Sequence, residues 1–205
     1  MKISGANVID QPVEKVWDAL LDPRVLVATI PGCERLEATG DHQYAMTVTA
    51  GVAAIKGTYN GSCALSDLQE HESLVMRLTG AGAPGTIDAT VNVQFSEPAP
   101  GQTQVAFDAD AVVGGMVGGV GQRMLSSVSK RMAGEFFGNV GRAIAGGPAA
   151  VGAAVAAETT AEGAPVFTAP AKPETVVTLS QDFLKGIAVG AGLVALGVLL
   201  GRRRR

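Results

Sequence analysis

The sequence predicts an α+β domain in which an antiparallel sheet wraps around a long C-terminal helix. Three observations predict it. An amphipathic helical segment lies near the start, five stretches of period-two alternation follow, and a long four-residue repeat of apolar side chains closes the folded region. Aromatic residues are only 4% of the chain, so the core has to be built from Val, Leu, Ile, Met and Ala.

The elements follow in order. Ile3 to Ile9 reads as a strand. Asp10 stands where a helix N-cap belongs, with Pro12 near the first turn, where a missing N–H is harmless. Val13, Val16, Trp17 and Leu20 recur at i, i+3, i+4 and i+7, which marks one buried helical face. Asp22-Pro23 ends that helix and starts a second, Arg24 to Ile30, which Pro31-Gly32 closes.

After Gly32 the period becomes two. Tyr44, Met46 and Val48 alternate with Ala45, Thr47 and Thr49; Ile55, Tyr59, Cys63 and Leu65 share a face with Gly57 and Gly61. Three more runs, Leu74 to Leu78, Ile87 to Phe95 and Val105 to Ala109, alternate in the same way. Such runs describe an antiparallel sheet with one wet and one apolar face. Met116, Val120, Met124, Val128, Met132, Phe136 and Val140 then recur every four residues, the stripe of a helix laid across that sheet. The order of strand, two short helices, strand meander and long helix is that of a helix-grip fold.

Residues 1–142 are therefore expected to form the folded domain. Residues 143–180, rich in Ala, Gly, Pro, Thr and Glu, are expected to be a flexible linker. Residues 181–205 form an apolar tail ending in Arg202, Arg203, Arg204 and Arg205. Its apolar run, Gly186 to Gly201, would measure about 24 Å as a helix, against a hydrocarbon core of about 30 Å. That is short for a span. The expectation is a tail that enters the cytoplasmic leaflet through Leu193, Leu196, Leu199 and Leu200, with the arginines on lipid phosphates. A soluble docking peptide is the alternative.

Composition excludes several functions. A net charge of −3 argues against nucleic-acid binding, whose footprint is a basic face. Cys33 and Cys63 have no CxxC spacing and only His42 and His71 as companions, too few for a structural zinc site; no metal is expected. The N-terminus lacks a secretory pattern, so a reducing cytoplasm with free thiols is expected. Both histidines lie beside turns, and Asp88, Asp108 and Asp110 fall on the wet strand face, so no catalytic residue is assigned. The glycine-rich stretch Gly114 to Gly121 lacks the Gly-Lys-Ser/Thr ending of a phosphate loop. It reads instead as a deformable rim where helix and sheet approach closely.

An apolar ligand site is the chemistry that remains. Met116, Val120, Met124, Val128, Met132 and Phe136 on the helix would face Met46, Tyr59, Met76, Val91 and Phe107 on the sheet. Methionines make a soft lining, and Gly57, Gly61, Ala89 and Ala109 opposite them leave room.

Three parts of the chain resemble the carbon monoxide dehydrogenase accessory family CoxG. They are the stretch Ile30-Pro31-Gly32-Cys33-Glu34, the series Gly51, Gly57 and Gly61, and Asp110 to Gly119 running into Gly121-Gln122-Arg123-Met124-Leu125 and Glu135-Phe136-Phe137. That family belongs to the START-like, polyketide-cyclase-like (SRPBCC) superfamily, and the resemblance covers about residues 1 to 140. It implies a non-catalytic accessory of the molybdenum carbon monoxide dehydrogenase, serving its attachment to the cytoplasmic face of the cell membrane. Electrons from that enzyme must reach a respiratory chain whose mobile carrier is a membrane quinone. An apolar pocket on a tether to membrane lipids therefore predicts a quinone, menaquinone or ubiquinone, as a non-covalent guest. The alternatives are a docking adaptor with no ligand, and a START-like lipid carrier or cyclase-type enzyme.

Overall fold

The computed structural model describes residues 1–152, 156–159 and 165–169. Strand β1 (Lys2–Ile9) leads into helices α1 (Val13–Leu21) and α2 (Pro23–Thr29). Six strands follow: β2 (Cys33–Gly40), β3 (Gln43–Val52), β4 (Ile55–Gln69), β5 (Ser73–Gly82), β6 (Gly85–Ala99) and β7 (Gln102–Gly114). A single turn, α3 (Gly115–Gly118), precedes the long helix α4 (Gln122–Gly152), and strands β8 (Ala156–Thr159) and β9 (Pro165–Thr168) come last. The strands form one antiparallel sheet in the order β1-β7-β6-β5-β4-β3-β2-β9-β8. This is the expected α+β helix-grip arrangement.

Because β2 to β7 form a meander, its turns alternate between two ends of the sheet. At one end lie the β2–β3, β4–β5 and β6–β7 turns, together with the end of β1 at Asp10. Here the core is solid. Trp17 stacks edge-on against Phe95 at 5.4 Å, and Val16, Val105 and Val140 from α1, β7 and α4 are fully buried. A smaller cluster around Leu36, Val27 and Tyr44 joins α2 to β2 and β3. Asn139 on α4 donates to the Thr29 carbonyl at 2.8 Å, fixing the long helix against the end of α2.

Several expectations require correction. Asp10 does not cap α1: Pro12 occupies the cap position without a side-chain bond, and Asp10 accepts from Gln102 Nε2 at 2.7 Å. Asp22 does cap α2, accepting from the Arg24 backbone N–H at 2.9 Å. Strand β2 carries no period-two signal because a bulge between Cys33 and Arg35 sets Cys33 and Leu36, three residues apart, on the same buried side.

The expected single helix from Met116 is broken at Gly119 to Gly121, where Gly121 has φ 91°. The stretch expected to be linker from residue 143 is regular structure wherever it is described. Helix α4 continues to Gly152 across a kink at Gly147 (φ 73°), and β9 pairs with the open edge of β2. An alanine-rich segment with a left-handed glycine ahead of Pro148 suits a restarted helix, and an unpaired edge invites a further strand. The remainder of that stretch and the expected tail, 181–205, lie outside the described residues. Among the described residues no helix is long and apolar enough to cross a membrane.

Candidate functional site

At the opposite end of the sheet, where β3 turns into β4 and β5 into β6, the inward positions hold small residues. Ala50 and Gly51 on β3, Gly61 on β4, Gly80 on β5, Ala89 on β6 and Ala111 on β7 leave the space under α4 unfilled. The result is a cavity of about 450 Å³, within the range of small-molecule sites, about 300–1,000 Å³. It opens at this end, where Ala50, Gly51, Val52 and Ile87 remain partly in solvent.

The cavity needs glycine at particular points. A Cβ on Gly61 would strike the Thr79 carbonyl of the neighbouring strand. A Cβ on Gly80, directly across from Gly61 in the β4–β5 register, meets nothing within 4 Å. Gly80 therefore leaves an open position in the wall that any larger side chain would occupy.

Eight of the eleven residues expected to line a pocket do so: Met46, Tyr59, Met76, Val91 and Phe107 on the sheet, and Val128, Met132 and Phe136 on α4. Met116, Val120 and Met124 do not. Met116 and Met124 are 63% and 45% exposed, and Val117 and Leu125 face inward in place of their neighbours. The cause is geometric. A strict four-residue repeat drifts about 40° per step on a helix of 3.6 residues per turn, so four steps before Val140 Met124 has rotated onto the outer side. The glycine break separates Met116 and Val120 from the helix altogether.

Among the small residues opposite the methionines, Gly61, Ala89 and Ala109 line the cavity, whereas Gly57 is covered by the Pro84 ring. Val48 and Leu78 lie on the same alternation as Met46 and Met76 and were legible in it. Ser129, Ala133 and Phe137 were not, because they fall off the four-residue register.

The wall is almost wholly hydrocarbon. Its side-chain hydroxyls belong to Tyr59, Thr79 and Ser129, and Thr79 is engaged with Ser62 at 2.8 Å on the outer face. Tyr59 and Ser129 are thus the polar points of an apolar chamber. Asp88 and Asp110 stay on the outer surface, near Arg77 at 3.9 Å and the N-terminal ammonium at 3.8 Å respectively, and Asp108 is exposed.

His42 (φ 54°) and His71 (φ 62°) sit in turns at the solid end. Among the described residues no three His, Cys, Asp or Glu side chains come together as a metal site would require. Cys33 and Cys63 are buried, unpaired thiols of the smaller cluster. Burial raises them to about 11 and about 12.

The sheet, the spanning helix and the chamber between them define a protein of the START-like helix-grip class. The chain belongs to the CoxG family of carbon monoxide dehydrogenase, whose model matches residues 5–145. A conserved protein from Geobacillus kaustophilus is 32% identical, with a TM-score of 0.68 over 71% of this chain and 96% of that one. The ZhuI aromatase/cyclase from a Streptomyces species shares the fold at 16% identity and TM-score 0.53, over 69% of this chain and 92% of that one. So does a Thermus thermophilus protein, at 14% identity and TM-score 0.54, over 72% and 99%. No curated protein matches the chain in sequence.

Proposed function

We propose that this protein is a non-catalytic accessory of molybdenum carbon monoxide dehydrogenase that carries a lipophilic guest, a respiratory quinone such as menaquinone or ubiquinone. Its tail, residues 181–205, recruits the enzyme to the cytoplasmic face of the membrane. Family membership supports the accessory role. The observation that carries the guest is the apolar cavity of about 450 Å³ held open by small residues.

The physical case is one of desolvation. Each methylene moved from water into such a chamber contributes about 0.8 kcal/mol, so about ten of them approach the roughly 8 kcal/mol of micromolar retention. Tyr59 and Ser129 supply hydroxyl donors for a quinone carbonyl, which an aliphatic guest would not need. The Met46, Met76 and Met132 side chains adapt to a flat ring and to a branched prenyl chain alike.

The experiment is solvent extraction. Protein purified without detergent from cells that make quinone should release about one quinone per chain on treatment with organic solvent. The stripped protein should then take up added menaquinone. Absence of quinone from the extract, with no uptake afterwards, would leave only an adaptor role.

A further inference from the structure

The two ends of the sheet differ in charge as well as in packing. Segments 49–58, 80–87 and 112–127, which surround the cavity mouth, contain no Asp or Glu; their charged residues are Lys56 and Arg123, both exposed. The turns at the solid end carry Asp41, Asp67, Glu70, Glu72 and Glu97. The mouth also holds much of the large apolar surface left in water: Met116 is 63% exposed, Met124 45% and Ile87 36%. The tips of the two hairpins beside it, Ala53-Ala54 and Ala83, are exposed alanines.

The described chain ends on this side too. Strand β9 runs antiparallel to β2, and the Ala169 N–H donates to the Glu34 carbonyl at 3.1 Å, close to where Gly32 meets Thr49. Residues 170–205 follow, ending in four arginines.

We infer that the mouth rim is a docking surface for an anionic lipid bilayer. Met116, Met124 and Ile87 enter the headgroup boundary while Lys56 and Arg123 meet lipid phosphates. Exposed apolar side chains flanked by cations, with acids kept at the far end, match the chemistry of such an interface. Docked this way, the chamber opens directly onto hydrocarbon, and a guest passes between bilayer and wall without crossing water. The surface rests on the reading of the cavity as a guest site.

The test uses the full chain. Its two native thiols are buried, so a fluorophore can be attached selectively through Met116→Cys at the mouth or Glu70→Cys at the far end. Vesicles of phosphatidylglycerol or phosphatidylcholine carry a doxyl-lipid quencher. Quenching should affect the Met116 label and not the Glu70 label, mainly in phosphatidylglycerol. Lys56→Glu with Arg123→Glu should lower vesicle affinity about tenfold, because both cations are then reversed against the anionic surface.

Equal quenching of both labels, or none, overturns the surface. If added dehydrogenase alone shields the Met116 label from iodide, the rim belongs to a protein partner, and the surface is overturned equally. Guest uptake from detergent solution, measured separately, keeps the two claims apart: uptake without quenching defeats the docking surface alone, and quenching without uptake defeats the cavity reading alone.

Discussion

Gly80 and Gly61 face each other across β4 and β5, yet they answer substitution differently. A Cβ at Gly80 enters empty space, so Gly80→Leu should fold with unchanged or slightly raised thermal stability while filling part of the chamber. A Cβ at Gly61 meets a backbone carbonyl that cannot move aside, so Gly61→Ala should cost about 1–3 kcal/mol in a denaturant titration. The thiols make a second prediction at this scale. Burial raises Cys33 to about 11 and Cys63 to about 12 from an ordinary value of 9.0, so the folded chain holds both protons more tightly than the unfolded one. Their contribution to stability is complete below about pH 9 and is lost as pH rises toward 11 and 12. Urea midpoints should fall across that window, and Cys63→Ala should flatten the fall. Neither thiol should react with a thiol reagent at about pH 8 until the chain unfolds.

At the level of elements, α4 is held by Leu125, Phe137 and Val140, which are buried, while Met124 looks outward. Leu125→Ala should therefore cost about 2–5 kcal/mol, and Met124→Ala less than about 0.5 kcal/mol, as for an exposed position. The reverse order, measured by chemical denaturation, would mean that the helix is rotated from its described setting. Much of this was legible in the sequence. Alternation located β3 to β7 and their buried faces, because a strand with one wet side must alternate. It missed β2, where a bulge breaks the period, and it missed β9, whose four residues signal little until they pair with β2. The methionine stripe marked the helix but misassigned its inward face, because a period of four is not the helical period. The chamber itself was partly visible, since Gly61, Ala89 and Ala109 fall on apolar faces. Ala50, Gly80 and Ala111 passed unnoticed because small side chains leave almost no hydropathy signal.

Across the whole molecule, packing and charge are divided along one axis: solid core and acids at one end, chamber, cations and exposed methionine at the other. Strand β9 belongs to this body. Val166 is 5% exposed and Phe167 packs on the cluster around Leu36, so a chain cut after Gly152 should lose about 1–3 kcal/mol of stability, whereas loss of a true linker would cost nothing. The division explains why guest and membrane would meet at the same end, and it makes the empty chamber the feature on which both depend. Equilibrium dialysis of a menaquinone analogue against the stripped full chain and its Gly80→Leu variant tests the chamber head-on. The wild-type chain should bind one guest, and the variant should lose at least about tenfold in affinity, the equivalent of about 1.4 kcal/mol. Equal binding by both proteins, or binding by neither, would contradict a guest held in this chamber.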